Sequence, residues 1–404
     1  MPCSSEEDES YFPNPSLLEK IGKGEGGLHL CGLTKYETGF TVFTGMTYPF
    51  KGGTTMHMSD ALLSPAVGIT FWAGTLGTIA YCSKKLKENL DEKLIPLMGV
   101  TGAFIFAAQM VNFTIPGTGS SGHLGGGMIL AIILGPYAAF IVMASVLTIQ
   151  ALFFADGGLL ALGCNIWNLG IYPCFIAYPL IYKPIVQKGM TPKRILVASL
   201  ISVFVGLQLG AFSVVLETLL SGRSELPFIT FVLLMQPIHL AIGVVEGFIT
   251  AGVINYVRAA RPKLLESIVE SRPLSPEIKV KKIVLVLLVI AIITGGIVSW
   301  FASSNPDGLE WAIERVYGKP ELPEQETGIV AILKTLQERT AFLPDYTFKK
   351  KEAPKEQETP GGDENAWPNV EAGTSVSGIL GSIMMVGLIF LVGFGIKAIR
   401  KKGT

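Results

Sequence analysis

Residues 195–219 read ILVASLISVFVGLQLGAFSVVLETL, and this stretch decides the class of fold. Glu217 is its one ionisable side chain. As a helix the stretch would be about 38 Å long, which exceeds the roughly 30 Å hydrocarbon thickness of a bilayer. Similar runs recur along the 404 residues, of which 49% are hydrophobic and only 16% are charged. The sequence therefore predicts an all-α, polytopic membrane helix bundle.

The positions of the apolar runs predict seven membrane spans, a linker and two further spans. The first seven lie at about 62–82, 94–115, 127–134, 138–154, 159–182, 195–219 and 230–257, and the last two at about 283–302 and 376–396. Lys and Arg cluster at Lys84–Lys87, Lys183–Arg194 and Arg258–Lys282 and after residue 396, which the positive-inside rule assigns to the cytoplasm. This assignment needs a helix break at Gly135-Pro136, because one helix over 127–154 would place Lys183–Arg194 outside.

Composition divides the chain into five predicted segments. They are an N-terminal extension at 1–55, a membrane domain at 56–260, a cytoplasmic linker at 261–282, a two-span domain at 283–396 and a basic cytoplasmic tail at 397–404. The extension lacks the apolar region of a secretory signal peptide. Lys51-Gly52-Gly53 can be encoded by a purine-rich run like a ribosome-binding site, so residues 1–55 are expected to be translated upstream sequence or a removed leader. The formal net charge of zero gives no basic field to attract nucleic acid.

The motif Met56-His57-Met58-Ser59-Asp60 stands just before the first predicted span. In a chain that begins at Met56, the free amine, the His57 amide nitrogen and the His57 imidazole would form one fused chelate. Three nitrogens so close along the backbone lie nearly in a plane, which suits Ni(II) and Cu(II) once a fourth ligand closes the site. The alternative is that His57 lies in a disordered leader and binds nothing.

A second histidine, His123, lies in a loop of Gly, Ser and Thr that precedes the short apolar run 127–134. That run is too short to cross the hydrocarbon before Gly135-Pro136, so the loop is expected to dip into the protein, where irregular backbone is tolerated. Met56 and His123 fall on the same outer side of the predicted topology. His123 would then supply the fourth nitrogen, although a His bonded to backbone at a helix N-terminus is the competing interpretation.

Several separate motifs resemble the CbiM/NikM family, the metal-binding membrane components of cobalt and nickel energy-coupling factor transporters. They are Met-His-Met-Ser-Asp-Ala-Leu-Leu-Ser-Pro (56–65), Gly-Ser-Ser-Gly-His-Leu-Gly-Gly-Gly (119–127) and Ala-Asp-Gly-Gly-Leu-Leu-Ala-Leu-Gly-Cys-Asn (155–165), together with His239 and Glu246. Asn305-Pro-Asp-Gly-Leu-Glu310 also resembles the PDGLE motif of the small two-span partner component. The chain therefore looks like a fusion of the two components.

The resemblance implies the same metal ligands as the chelate: the Met56 amine, the amide and ring nitrogens of His57 and the ring of His123. With residues 1–55 attached, the Met56 nitrogen is an amide and the first ligand is lost. The resemblance further implies transport of nickel or cobalt across a prokaryotic plasma membrane, with no other cofactor. The expected partners are a coupling membrane subunit and ATPase subunits, because the sequence lacks G-x-x-x-x-G-K-[ST].

Two side chains near these ligands are candidate supporting groups. Asp60 is placed to accept a proton from His57 or to cap a helix, and His239 lies in a predicted span. The other polar residues in spans are more often hydrogen-bonding groups between helices than functional sites; they are Asn112, Gln150, Asn165, Asn168, Glu217 and Glu246. Two rival functions are a membrane metal sensor that does not transport and an intramembrane metalloenzyme, for which the sequence lacks H-E-x-x-H.

Overall fold

The computed structural model describes residues 56–89, 91–274, 280–323, 328–348 and 367–402, and in these ranges the chain is mostly helical. The predicted extension at 1–55, part of the predicted linker and the last two residues of the predicted tail lie outside the described residues. The helices are α1 (Pro65–Asn89), α2 (Leu94–Gln109), α3 (Gly127–Leu134), α4 (Pro136–Phe154), α5 (Leu162–Ile166), a π-helical stretch (Trp167–Tyr182), α6 (Lys183–Val186), α7 (Pro192–Leu220), α8 (Phe228–Ala260), α9 (Pro262–Val269), α10 (Lys281–Gly296), α11 (Gly308–Tyr317), α12 (Gly328–Thr340) and α13 (Ala372–Lys402).

Five helical stretches among the described residues are long and apolar enough to cross a membrane. They are α4, the continuous stretch Leu162–Val186, α7, α8 and the Ala372–Ala398 part of α13. Helix α2 is apolar but shorter. The structure confirms that the described chain is mostly helical, with long apolar helices as predicted. The number of membrane spans stays a prediction.

The predicted break at Gly135-Pro136 is present, because α3 ends at Leu134 and α4 begins at Pro136. Gly135 has φ +78°, a conformation that suits glycine, and Pro136 has no backbone N–H to continue the hydrogen-bond ladder of α3. All eight residues of α3 are buried. This helix, about 12 Å long, is therefore enclosed by protein, as the interpretation of the His123 loop required.

The second predicted span was wrong at its C-terminal end, which was expected at residue 115. Helix α2 stops at Gln109, and the chain then forms an antiparallel hairpin of β1 (Phe113–Ile115) and β2 (Ser120–Gly122). The turn between the strands contains Gly117 and Gly119, both with positive φ. The apolar side chains of β1 resemble the end of a membrane helix in composition, although they alternate with polar ones as strand residues do.

The two C-terminal helices pack against the first part of the bundle. Helices α10 and α13 contact α2 and each other. Where α10 and α13 cross, a side chain on Gly378 would collide with the backbone of Gly295, so the two helices approach at backbone contact. Between them, α11 packs against α8 and β2. This arrangement brings the PDGLE motif to the loop that carries His123.

The predicted linker at 261–282 contains a helix that the sequence interpretation missed. Helix α9 contacts α3 and α8, and its Leu264, Leu265 and Val269 are buried. The charged residues and prolines of this segment indicated only a linker, but its buried apolar residues lie on one helical face.

Candidate metal centre

A cavity of about 80 Å³ lies where the segment at Met56, the His123 loop, helices α7 and α8 and the PDGLE motif meet. Met56, His57, His123 and His239, four of the five predicted site residues, line this one cavity. Its other lining residues are Met58, Gly125, Asn165, Asn168, Leu169, Leu207, Gly210, Ala211, Val214, Met235, Ile242, Asp307 and Leu309. The sequence therefore identified the right region.

The segment Met56–Met58 is fixed by the loop that follows α4. The Met56 backbone nitrogen donates to Asp156 Oδ1 at 2.8 Å, and the Met58 nitrogen donates to Asn165 Oδ1 at 3.2 Å. The Met58 carbonyl accepts from Asn165 Nδ2 at 3.1 Å and from the Gly158 nitrogen at 3.1 Å. These bonds satisfy the backbone nitrogens of Met56 and Met58 and the Met58 carbonyl, and they hold His57 in place.

His57 is 5% exposed, and its ring lies close to polar partners and to the ring of His123. Its Nε2 lies 3.0 Å from Gln150 Oε1 and 3.8 Å from Asp156 Oδ2. The centroids of the His57 and His123 rings are 5.4 Å apart, and the ring planes are nearly perpendicular. Burial lowers the pKa of His57 and outweighs the opposing charge of Asp156. At neutral pH the ring is therefore uncharged and keeps a lone pair for a cation.

The loop that carries His123 is held from the bundle by a buried carboxylate. Glu246 Oε2 accepts from the Gly125 nitrogen at 2.8 Å, and Glu246 Oε1 accepts from the Gly126 nitrogen at 2.9 Å. These two N–H groups stand at the N-terminus of α3, where a negative charge is favoured. The Gly125 carbonyl accepts from Gln109 Nε2 at 3.0 Å. The backbone after His123 is therefore fixed both at its N–H groups and at the Gly125 carbonyl.

The PDGLE motif supplies the anion beside His123. His123 Nδ1 lies 3.4 Å from Asp307 Oδ1, and both atoms are buried without a well-aligned hydrogen bond. The motif is fixed to β2, because Ser121 donates its nitrogen to the Pro306 carbonyl at 2.8 Å and its Oγ to the Asn305 carbonyl at 2.8 Å. Burial alone would lower the pKa of His123, but Asp307 and more distant carboxylates raise it above its ordinary value. Burial would likewise raise the pKa of Asp307, but His123 lowers it.

A second contact from the C-terminal module reaches the other half of the centre. Tyr346, the last residue of the short helical turn Pro344–Tyr346, donates its hydroxyl to Asp156 Oδ2 at 2.5 Å. The Tyr346 ring stacks on Phe154 at a centroid distance of 5.1 Å. The carboxylate that binds the Met56 nitrogen is therefore itself oriented by residues from the C-terminal module.

Asp60 and His239 have defined partners as well. Asp60 Oδ1 accepts from the Ala161 nitrogen at 2.8 Å, so this carboxylate fixes the same loop that holds Met58. His239 Nδ1 is 2.8 Å from the Met235 carbonyl, one turn earlier in α8. The proposed role of either residue in supporting a metal ligand stays a prediction.

The sequence interpretation missed Asp156, Asp307, Gln109 and Tyr346 as residues of the centre, and it treated Gln150 only as a helix-packing group. Asp156 carried a usable signal, since an acidic residue followed by two glycines directly after an apolar span is unusual in a buried loop.

In the described part of the chain, no three His, Cys, Asp or Glu side chains are grouped as a metal site would require.

Comparison with known proteins agrees with these features. Residues 57–264 match the family CbiM, described as the cobalt uptake substrate-specific transmembrane region, and residues 281–398 match the PDGLE domain. A candidate metal transport protein of Haloquadratum walsbyi is 38% identical over 226 residues, which are 55% of this chain and all of that one. A candidate fused nickel transport protein, NikMN, of Archaeoglobus fulgidus is 38% identical over 211 residues, which are 52% of this chain and 68% of that one.

Among solved structures, a truncated transition metal transporter is 32% identical, with a TM-score of 0.45 over 51% of this chain and 99% of that one. The family is one of multi-pass membrane transport proteins for cobalt and nickel uptake, not one of enzymes, and it belongs to the energy-coupling factor transporters. The chain is therefore a member of the CbiM family, a membrane component of cobalt or nickel uptake, with a PDGLE domain fused after it.

Proposed function

We propose that this protein captures Ni(II), or Co(II), from outside the cell in a four-nitrogen site and delivers the ion inward when separate subunits hydrolyse ATP. The ligands are the Met56 amine, the amide and ring nitrogens of His57 and a ring nitrogen of His123. The observation that carries the proposal is the approach of the His57 and His123 rings to 5.4 Å within one buried cavity next to the Met56 nitrogen.

The ring geometry is compatible with one shared ion. With metal–nitrogen bonds of about 2 Å, an ion bound to two imidazoles holds their centroids roughly 4–6 Å apart. Asp156 Oδ2 lies 3.8 Å from His57 Nε2, and Asp307 Oδ1 lies 3.4 Å from His123 Nδ1. Carboxylates in that position orient histidine ligands and offset part of the charge of a divalent ion.

The amine ligand requires a chain whose first residue is Met56. The Met56 nitrogen already donates to a carboxylate, Asp156, at 2.8 Å, and an amine there would keep that partner. The family match begins at residue 57. We therefore infer that the metal-binding form starts at Met56. If it does not, the missing ligand must come from Asp60, His239 or the loop around His123.

Nickel is preferred over cobalt on geometric grounds, because four nearly coplanar nitrogens suit Ni(II). Geometry alone does not give selectivity, since the general affinity order places Cu(II) above Ni(II) for any such site. Selectivity against copper must then come from the supply of metal or from the transport step.

The predicted topology of seven spans and two further spans places this cavity outside and the C-terminal tail in the cytoplasm of a prokaryotic cell. In that arrangement 56–260 is the metal-binding domain, 261–282 a cytoplasmic linker and 283–396 the two-span module. The external segment at 305–370 regulates access to the site, which the contacts of Asp307 and Tyr346 with the centre support. The coupling membrane subunit and the ATPases are separate chains. Deletion of this segment with both helices kept, if uptake were unchanged, would remove the regulatory role.

The test of the whole proposal combines binding and uptake. We expect His57→Ala and His123→Ala to abolish stoichiometric nickel binding by the protein purified from its native host, whose chain we expect to begin at Met56. Uptake of radioactive nickel by cells that carry the complete transporter separates a transporter from a membrane metal sensor. Retained stoichiometric nickel in both variants would rule the four-nitrogen site out.

A further inference from the structure

We propose that Gln109 and Gln150 are positioning residues that fix the tautomer of His57, with the proton on Nε2 and the lone pair on Nδ1. That the Nδ1 lone pair binds a metal ion rests on the proposed function. The tautomer itself is a property of the metal-free protein and can be tested without metal.

An unbroken hydrogen-bonded chain connects the His57 ring to the loop of His123. His57 Nε2 lies 3.0 Å from Gln150 Oε1, Gln150 Nε2 donates to Gln109 Oε1 at 3.0 Å, and Gln109 Nε2 donates to the Gly125 carbonyl at 3.0 Å. Both glutamines are fully buried, at 0% exposure. Because both are buried, each amide must find its hydrogen-bond partners among protein groups.

The far end of the chain decides the direction of every bond in it. The Gly125 carbonyl can only accept, so the amide nitrogen of Gln109 must face it and the Gln109 oxygen must face Gln150. Gln150 then donates to Gln109 and turns its own oxygen to His57. An oxygen acceptor at 3.0 Å requires a proton on His57 Nε2. Reversal of the amides would place two oxygens against each other at Gly125.

The resulting tautomer is the one that the chelate needs. A metal bound to the His57 amide nitrogen closes a six-membered ring through Cα, Cβ, Cγ and Nδ1, whereas Nε2 lies on the far side of the imidazole. Asp156 Oδ2, 3.8 Å from Nε2, also favours a proton there. Neither glutamine touches the ion in this arrangement; they act through the ring of His57.

The chain also ties the two histidines together. Gly125 follows His123 by two residues, and its nitrogen is held by Glu246 at 2.8 Å while its carbonyl is held by Gln109 at 3.0 Å. Displacement of the His123 loop would break the bond to Gln109 and release the constraint on His57. One correctly placed loop therefore prepares both ring ligands.

The test is nitrogen NMR of the metal-free full chain in lipid, labelled at histidine, at a pH well above that of ring protonation. The chain has four histidines, so His57→Ala identifies the His57 signals by difference. We expect a protonated Nε2 and a bare Nδ1 in the wild type. A protonated Nδ1 in the wild type would overturn the inference, whatever the variants do.

Three variants separate positioning from packing. Gln150→Met and Gln109→Met remove the relay, so we expect a mixed or reversed tautomer of His57 and a loss of nickel affinity of about 10- to 100-fold. Gln150→Glu still accepts from Nε2–H, so it should keep the wild-type tautomer. An unchanged tautomer in both Met variants would overturn the inference. If a chain that begins at Met56 failed to bind nickel while the tautomer followed the glutamines, only the proposed function would be rejected.

Discussion

Replacement of Asp156 by Asn tests how the amine end of the centre is held. The Asp156 side chain is 2% exposed and accepts two hydrogen bonds, from the Met56 nitrogen at 2.8 Å and from the Tyr346 hydroxyl at 2.5 Å. Asparagine has nearly the same shape but offers one oxygen and one NH₂ group. Either the Met56 nitrogen then faces the NH₂ group, donor against donor, or the Tyr346 hydroxyl accepts from that group and its own proton loses its acceptor.

The expected loss of nickel affinity in Asp156→Asn follows from the one hydrogen bond that is lost. Loss of one hydrogen bond to a charged group costs about 1.5–3 kcal/mol in a buried position. If the loss falls on the metal-bound state, nickel affinity falls roughly 10- to 100-fold, since about 1.4 kcal/mol corresponds to a factor of ten. The lost negative charge acts in the same direction, because it weakens the attraction for a divalent ion.

The assay is equilibrium binding of nickel to the protein purified from its native host, with N-terminal sequencing of the same sample to check that the chain begins at Met56. Tyr346→Phe is the matched control, because it removes one bond to Asp156 but keeps the carboxylate and its bond to Met56. We expect the control to lose less affinity than Asp156→Asn, because the negative charge of Asp156 and its bond to the Met56 nitrogen remain. Wild-type binding in Asp156→Asn, together with a large loss in Tyr346→Phe, would refute the role of Asp156 as the anchor of the amine.

Three further outcomes follow from individual contacts. In the metal-free protein we expect His123, whose pKa is raised, to take up its proton at a higher pH than His57, whose pKa is lowered. Asp307→Asn should move the His123 titration in NMR spectra to lower pH, and more than that of His57; an unmoved His123 titration would contradict the pairing. Gly157→Ala should weaken nickel binding, because the position has φ +79° and a Cβ there would lie 2.9 Å from His57 Cβ. Gly117→Ala is the control for backbone strain of about 1–3 kcal/mol, because Gly117 has φ +78° but faces open space. Equal losses of nickel affinity in the two variants would reject the contact with His57. Gly378→Ala should lower the thermal stability of the full chain, because the added Cβ would collide with the Gly295 backbone where α10 and α13 cross. Gly387→Ala is the control and should leave the stability unchanged, because Gly387 faces open space. Equal thermal stability of the two variants would mean that the helices move apart without cost.

The helical part of the fold was predictable because span length and apolar composition are local properties. The boundary at Gly135-Pro136 is an example, since both residues act on their own backbone. The hairpin at 113–122 was not predicted, because its strands are three residues each and their apolar side chains extend the run of α2. Helix α9 was missed for a related reason, since its charged residues hide a narrow apolar face.

The centre was predictable in its chelating residues and not in its supporting ones. Met56 and His57 are neighbours in sequence, so their shared chelate needs no tertiary structure. The partners of His57, by contrast, come from α4 and the loop after it, and Gln150 is separated from His57 by 93 positions. The approach of Asp307 to His123 depends on how the C-terminal module packs on α8. Composition and spacing carry no information on such contacts.

The most direct measurement is the intact mass of the protein purified from its native host, with N-terminal sequencing and metal analysis of the same sample. We expect a chain that begins at Met56 and carries about one nickel ion, which is the stoichiometry that a single four-nitrogen site sets. A chain that begins at Met1 and still carries one nickel would contradict the amine ligand, and with it the four-nitrogen site.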